Sequence, residues 1–139
     1  MKRFSFNLQK VLELRNYREQ EAKVELGRAV GVLTAIENRI KETAVVRHNA
    51  ARERFADPAE MPAWDNYIIR LDQETERLTQ EAAQAALAVE EKRVLYLEAS
   101  RELKVMEKLR EKREKAYRKE MFAAETAEAD DRWRERDAF

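Results

Sequence analysis

Residues 55–64, FADPAEMPAW, decide the fold of this chain. Pro58 and Pro62 each lack a backbone N–H and clash with a preceding helical turn, so one continuous helix cannot pass through them. Asp57 can cap a new helix with Pro58 in its first turn, and a later start with Pro62 in the first turn is also open. The segment therefore predicts a turn at about residues 57–62 between two helices.

The residues before the turn carry a coiled-coil repeat. Apolar side chains recur at alternating intervals of four and three residues, at Ala22, Leu26, Ala29, Leu33, Ile36 and Ile40. This spacing places them on one face of a helix. Continued upstream, the repeat passes through Leu8, Leu12, Arg15 and Glu19. We expect the first helix at about residues 7–56.

The residues after the turn carry the same repeat over a longer span. It passes through Trp64, Ile68, Leu71, Thr75, Leu78, Ala82, Ala85, Val89, Lys92, Tyr96, Ala99, Leu103, Met106, Arg110, Arg113 and Tyr117. Arginine at such a position indicates a helix end that lacks its intramolecular partner or meets a different one. We expect the second helix at about residues 62–135.

The two repeats predict an all-α fold, in which two long helices form an antiparallel coiled-coil hairpin. With the turn near residue 60, Leu8 should lie near Glu111 and Ile40 near Thr79. About 20 C-terminal residues then extend beyond the first helix.

Composition narrows the classes of function. The 139 residues are 40% charged, with two glycines and two prolines, which favours long exposed helices over a broad core. The 28 basic and 28 acidic residues cancel, and this argues against a nucleic-acid partner. Cysteine is absent, which excludes disulfides and thiolate chemistry. No stretch approaches the roughly 20 apolar residues of a membrane span, so we expect a cytoplasmic protein.

Charge is sorted along the chain although its total is zero. Residues 1–20 carry five basic and two acidic side chains, and residues 101–119 carry nine and four. Residues 57–91 carry two basic and nine acidic side chains, and residues 120–139 carry three and seven. A hairpin would therefore have a basic open end, an acidic turn end and an acidic tail.

No residue pattern points to catalysis. His48 is the only histidine, with no second histidine and no cysteine to complete a metal site. Carboxylates are plentiful, but catalysis needs a concave, partly dry site, which two helices do not form. We predict a protein that is not an enzyme and has no catalytic residues, cofactor or metal.

Two apolar clusters exceed what a two-helix seam requires. The first contains Phe4, Phe6 and Leu8, where a two-stranded coil has least to cover them. The second is Trp64, Tyr67, Ile68, Ile69 and Leu71. A seam accepts two positions per heptad, so these side chains either cap the ends of the hairpin or dock partners.

Residues 4–29, FSFNLQKVLELRNYREQEAKVELGRA, resemble the N-terminal signature of the FliJ proteins of the bacterial flagellar type III export apparatus. Residues 64–71, WDNYIIRL, and residues 107–133, EKLREKREKAYRKEMFAAETAEADDRW, are also similar. Together with chain length and the two-helix layout, the resemblance covers nearly the whole chain.

The resemblance implies a central stalk in the hexameric flagellar export ATPase, comparable in shape to the coiled-coil part of a rotary ATPase gamma subunit. It also implies contact with the cytoplasmic domain of the export gate, escort of export chaperones, and a location at the inner membrane's cytoplasmic face through these partners. The implied ATPase-binding residues are Phe4, Phe6, Leu8, Arg15, Arg110, Arg113 and Tyr117. The implied gate-binding residues are Tyr67, Ile68 and Leu71, and Arg70 stands where the family often has an aromatic residue.

Three other hypotheses remain open. The chain could be the equivalent stalk of a virulence type III secretion system, or a structural coiled coil that assembles as a parallel dimer. An enzyme is the least favoured of these hypotheses, because it would need a deep pocket with converging polar groups.

Overall fold

The structure, a computed structural model, describes residues 3–138 and contains two long helices joined by a short 3₁₀ turn. Helix α1 is Gln9–Glu53, the 3₁₀ turn is Pro58–Glu60, and helix α2 is Met61–Asp137. The described residues contain no strand. The two helices pack against each other, which confirms the predicted all-α hairpin. The seams therefore face each other within one chain, unlike those of a parallel dimer.

The turn uses both of the helix starts that the prolines allow. Asp57 has extended backbone angles, and its Oδ1 accepts a hydrogen bond of 3.0 Å from the Ala59 N–H, with Pro58 in the first position of the 3₁₀ turn. Helix α2 follows at once from Met61, with Pro62 in its first turn. Neither proline interrupts a hydrogen-bond ladder, because the first N–H groups of a helix have no intrahelical acceptor.

The packing divides into two units. The turn unit is Glu21–Leu97, and the terminal unit consists of the described parts of Met1–Gln20 and Glu98–Phe139. In the turn unit the buried side chains are Ala50, Leu78 and Val89, and Leu78 is fully buried. In the terminal unit they are Phe6 and Leu103. Except for Phe6, these residues fall on the four-three spacing of the two repeats.

Ion pairs between the helices fix the register of the turn unit. Arg54 Nε lies 2.5 Å from Asp65 Oδ1, and Arg47 Nε lies 2.5 Å from Asp72 Oδ1. The residue numbers of each pair add to 119, as in a hairpin whose turn centres near residue 60. Each arginine also donates a second, longer hydrogen bond to the same carboxylate, so both contacts are bidentate.

Candidate functional site

The predicted ATPase-binding residues all belong to the terminal unit, and we call them the basic cluster: Phe4, Phe6, Leu8, Arg15, Arg110, Arg113 and Tyr117. Residues 3–6 precede the first helical turn, so the positions of their side chains do not follow the heptad spacing. The arrangement of the cluster is therefore a property of the folded chain rather than of the repeat.

Phe6 is the buried anchor of the basic cluster. Only 7% of Phe6 is exposed, and the guanidinium carbon of Arg113 lies 5.4 Å from the centre of its ring. Arg113 Nη1 also donates a hydrogen bond to the Asn7 side-chain oxygen. The expectation that this apolar cluster is poorly covered is therefore wrong for Phe6, because the arginine lies over its ring.

Phe4 contacts both Tyr117 and a second arginine of the cluster, Arg110. Its ring centre is 5.6 Å from that of Tyr117, and the guanidinium carbon of Arg110 lies 5.6 Å from the Phe4 ring centre. Each such cation–π contact stabilises by about 0.5–1 kcal/mol at an exposed site. Arg110 and Arg113 thus have intramolecular partners, and the alternative that they lack one is wrong. The aromatic rings before α1 give these two arginines cation–π contacts, which the apolar seam residues of a facing helix would not provide.

Arg15 and Leu8 complete the basic cluster on α1 and the turn before it. Arg15 is half-buried at a seam position and forms an ion pair with Glu102 of α2. Leu8 is also half-buried. Arg113 is exposed, and Arg110 lies 3.6 Å from Glu114. The cluster therefore presents guanidinium groups held over aromatic rings, an arrangement suited to recognising carboxylates on a protein surface.

The predicted gate-binding residues lie in the turn unit, at the start of α2. Ile68 and Leu71 are half-buried at seam positions, whereas 40% of Tyr67 is exposed. The Tyr67 ring packs edge-on against Trp64, with ring centres 6.1 Å apart. Ile69 is 54% exposed, but it lies on another face of the helix. Tyr67 is thus the most accessible of the three predicted contacts.

Acidic side chains in the turn unit are held by arginines. Arg77 contacts both Glu74, at 2.5 Å, and Glu81, at 2.6 Å, and Arg39 reaches Glu74 from α1 at 3.5 Å. The hydrogen bond from Arg77 lowers the pKa of Glu74 below its ordinary value. The hydrogen bond to Asp72 raises the pKa of Arg47. These pairs leave the surface acidic while fixing its side chains.

The ion pairs between the helices were not singled out from the sequence. Arg47 and Arg54 occupy core positions of the heptad, where the repeat leads one to expect apolar side chains. Only the pairing register would have shown that Asp72 and Asp65 lie opposite them. The proline turn sets this register, so the two opposing aspartates follow from the sequence once the register is applied.

His48 is exposed on α1. Among residues 3–138, no group of three histidine, cysteine or carboxylate side chains is placed to hold a metal ion. No helix in that part of the chain is long and apolar enough to cross a membrane.

One of three comparisons with known proteins gives a match. The family model described as Flagellar FliJ protein matches residues 4–135. No match to this chain is found among curated proteins or among solved structures. The matched range includes the basic cluster, the turn and the start of α2.

Proposed function

The chain belongs to the FliJ family, and from this premise we propose that it is a stalk and adaptor of the flagellar type III protein export apparatus. Family membership itself implies a role in flagellar type III export. The flagellar description of the family favours this apparatus over a virulence secretion system. In this proposal the chain catalyses no reaction and acts by binding other proteins.

The proposed ATPase contact is made by the basic cluster, which enters the ring of the hexameric export ATPase. The proposed ATPase contact is supported by the positions of Arg110 and Arg113, whose guanidinium groups lie over the rings of Phe4 and Phe6. Long side chains that are already ordered lose less conformational entropy on binding than free ones. Positive charge in the terminal unit would guide it towards an acidic surface inside the ring.

The proposed gate contact is made by Tyr67, Ile68 and Leu71, of which Tyr67 is the most exposed. Tyrosine is enriched where a few residues carry most of the energy of an interface. The same chain would escort export chaperones and would lie in the cytoplasm, reaching the inner membrane only through the apparatus. The acidic turn unit is a charge complement for a basic partner surface.

Co-purification with the hexameric flagellar export ATPase tests the first contact. Full-length chain should form a complex that the double substitution R110E/R113E weakens, because like charges then face the partner. R93E is a matched control, since Arg93 is an exposed arginine on α2 in the turn unit. Absence of a complex with the unsubstituted chain would refute the contact.

Binding to the purified cytoplasmic domain of the gate tests the second contact. Tyr67→Ala should weaken this binding, because it removes the accessible aromatic side chain. Ile69→Ala, two residues along the same helix and also exposed, should leave the affinity unchanged. Equal affinities for the two variants would refute the assignment to Tyr67.

A further inference from the structure

The C-terminal end of α2 has an apolar stripe that the hairpin does not use. Every residue from 122 to 138 is exposed. Phe122, Thr126, Ala129 and Trp133 follow the spacing four, three, four, so they lie on one face of the helix. Phe122 is 72% exposed and Trp133 is 65% exposed. We call these four residues the tail stripe.

Thr126 does not interrupt this apolar face. Its hydroxyl donates a 2.9 Å hydrogen bond to the backbone oxygen of Phe122, one turn earlier. The hydroxyl is therefore satisfied within the helix, and the methyl group remains available for apolar contact. Ala129 is small, so a partner helix can approach closely between the two aromatic residues.

Charges beside the stripe identify its partner. Glu125 and Arg132 each precede a stripe residue by one position, and they flank the stripe on the same side. If two tails pair antiparallel with Phe122 opposite Trp133 of the other copy, Glu125 lies beside Arg132 of that copy, and the reverse pair also forms. If two tails pair parallel, Glu125 instead faces Asp130, which is repulsive, and Arg132 faces Asp137, which is attractive, so the two pairs offset each other and only the antiparallel arrangement makes both pairs favourable.

From this complementarity we infer that the tail stripe is a self-association site, occupied by the tail of a second copy of this chain in antiparallel orientation. The two-fold arrangement is closed, because each tail gives and receives the same contacts. Arg132 is 80% exposed and reaches Glu128 of its own helix only at 4.0 Å, so it is available to an intermolecular carboxylate.

The size of the stripe sets the strength of the pairing. An aromatic side chain buries about 150–250 Å² when fully covered. The two copies together contribute four aromatic side chains, two from each tail, and because these are only partly exposed beforehand they would bury roughly 500 Å² in total. A stable interface buries at least about 1,200 Å², which places this one in the weak class. We therefore expect a weak dimer whose population rises with protein concentration.

Sedimentation of the full chain from about 10 µM to 1 mM tests the inference. The unsubstituted chain should show dimers that increase with concentration, and Phe122→Ser should abolish them while circular dichroism keeps its helical signal. E125R and R132E should each weaken association about tenfold, since each places two like-charge pairs across the interface. The double substitution E125R/R132E should restore it to within about twofold.

A spin label then tests the orientation. The chain has no cysteine, so A116C provides a single labelling site at an exposed position. An antiparallel dimer predicts a label separation on the order of 35 Å between copies, whereas a parallel dimer predicts about 10 Å.

The inference would be overturned by a monomer throughout the concentration range, by a short label distance, or by a double charge reversal that fails to restore association. Tighter association of R132E would also overturn it, because a more acidic tail would then be binding the basic residues of another copy.

Discussion

Leu78 and Leu87 are the same residue type in the same helix, but they differ in burial. Leu78 is fully buried between α1 and α2, whereas 68% of Leu87 is exposed. Leu78→Ala should lower the free energy of unfolding by about 2–5 kcal/mol, because it removes buried methyl groups and leaves a cavity. Leu87→Ala should change it by less than about 0.5 kcal/mol. Urea unfolding of both variants measures the difference, and similar midpoints would contradict the packing.

Glu74 makes the stability of the turn unit depend on pH. Arg77 lowers the pKa of Glu74 in the folded chain, chiefly by a hydrogen bond to the ionised carboxylate. A lowered folded-state pKa gives stabilisation that is present above the unfolded pKa and is lost as pH falls through the folded pKa. Glu74→Gln should therefore lower the melting temperature at pH 7, and the difference should shrink below about pH 4.

Glu76→Gln controls for the loss of one charge in the test of Glu74. Glu76 is exposed two residues along the same helix. Thermal unfolding followed by circular dichroism at pH 7, 5 and 3 gives the comparison. A Glu74→Gln difference of the same size at all three pH values would contradict a role for the ionised carboxylate.

Among the elements, the turn depends most on one side chain. Asp57 accepts the hydrogen bond from Ala59 that begins the 3₁₀ turn. Asp57→Ala should cost about 0.5–2 kcal/mol of stability, as measured by urea unfolding. Asp57→Asn keeps a side-chain oxygen acceptor and should cost much less. If the alanine and asparagine variants unfold at the same urea concentration, the cap does not stabilise the turn.

The packing of the segment before α1 should depend on the single side chain of Phe6, as the turn depends on Asp57. Phe6→Ala should lower stability by about 3–5 kcal/mol, because a buried ring is lost from under Arg113. Phe122→Ala removes the same side chain from an exposed position and should be nearly neutral. Hydrogen exchange of the first turns of α1 should accelerate only in the Phe6 variant. Exchange that is equally slow in both variants would show that the segment is not anchored by this ring.

The helices and the turn could be predicted from the sequence, but the packing of the segment before α1 could not. The seams and the turn were predictable, because apolar spacing and proline sterics act locally along the chain. The burial of Phe6 was not, because residues 3–6 are not helical and no periodicity fixes where their side chains point. The contacts of Arg110 and Arg113 could not be predicted for the same reason. Their heptad positions were visible, but the rings that cover them come from that non-periodic segment.

At the scale of the whole molecule, a chain without net charge carries different charged residues in its two units. The basic cluster belongs to the terminal unit, and the arginine-braced acidic residues belong to the turn unit. A net charge of zero therefore does not describe what a partner meets, since electrostatic attraction acts over about 10 Å at physiological salt. Two units of different charge suit the proposed adaptor, which must bind more than one protein.

The rate of ATP hydrolysis by the purified hexameric export ATPase, with and without this chain, tests the proposed function most directly. The unsubstituted chain and the R93E control should both raise the rate. R110E/R113E should need roughly tenfold more protein for the same effect, because the reversed charges face the ring. An ATPase that neither binds the unsubstituted chain nor responds to it would contradict the proposal that this hairpin is its stalk.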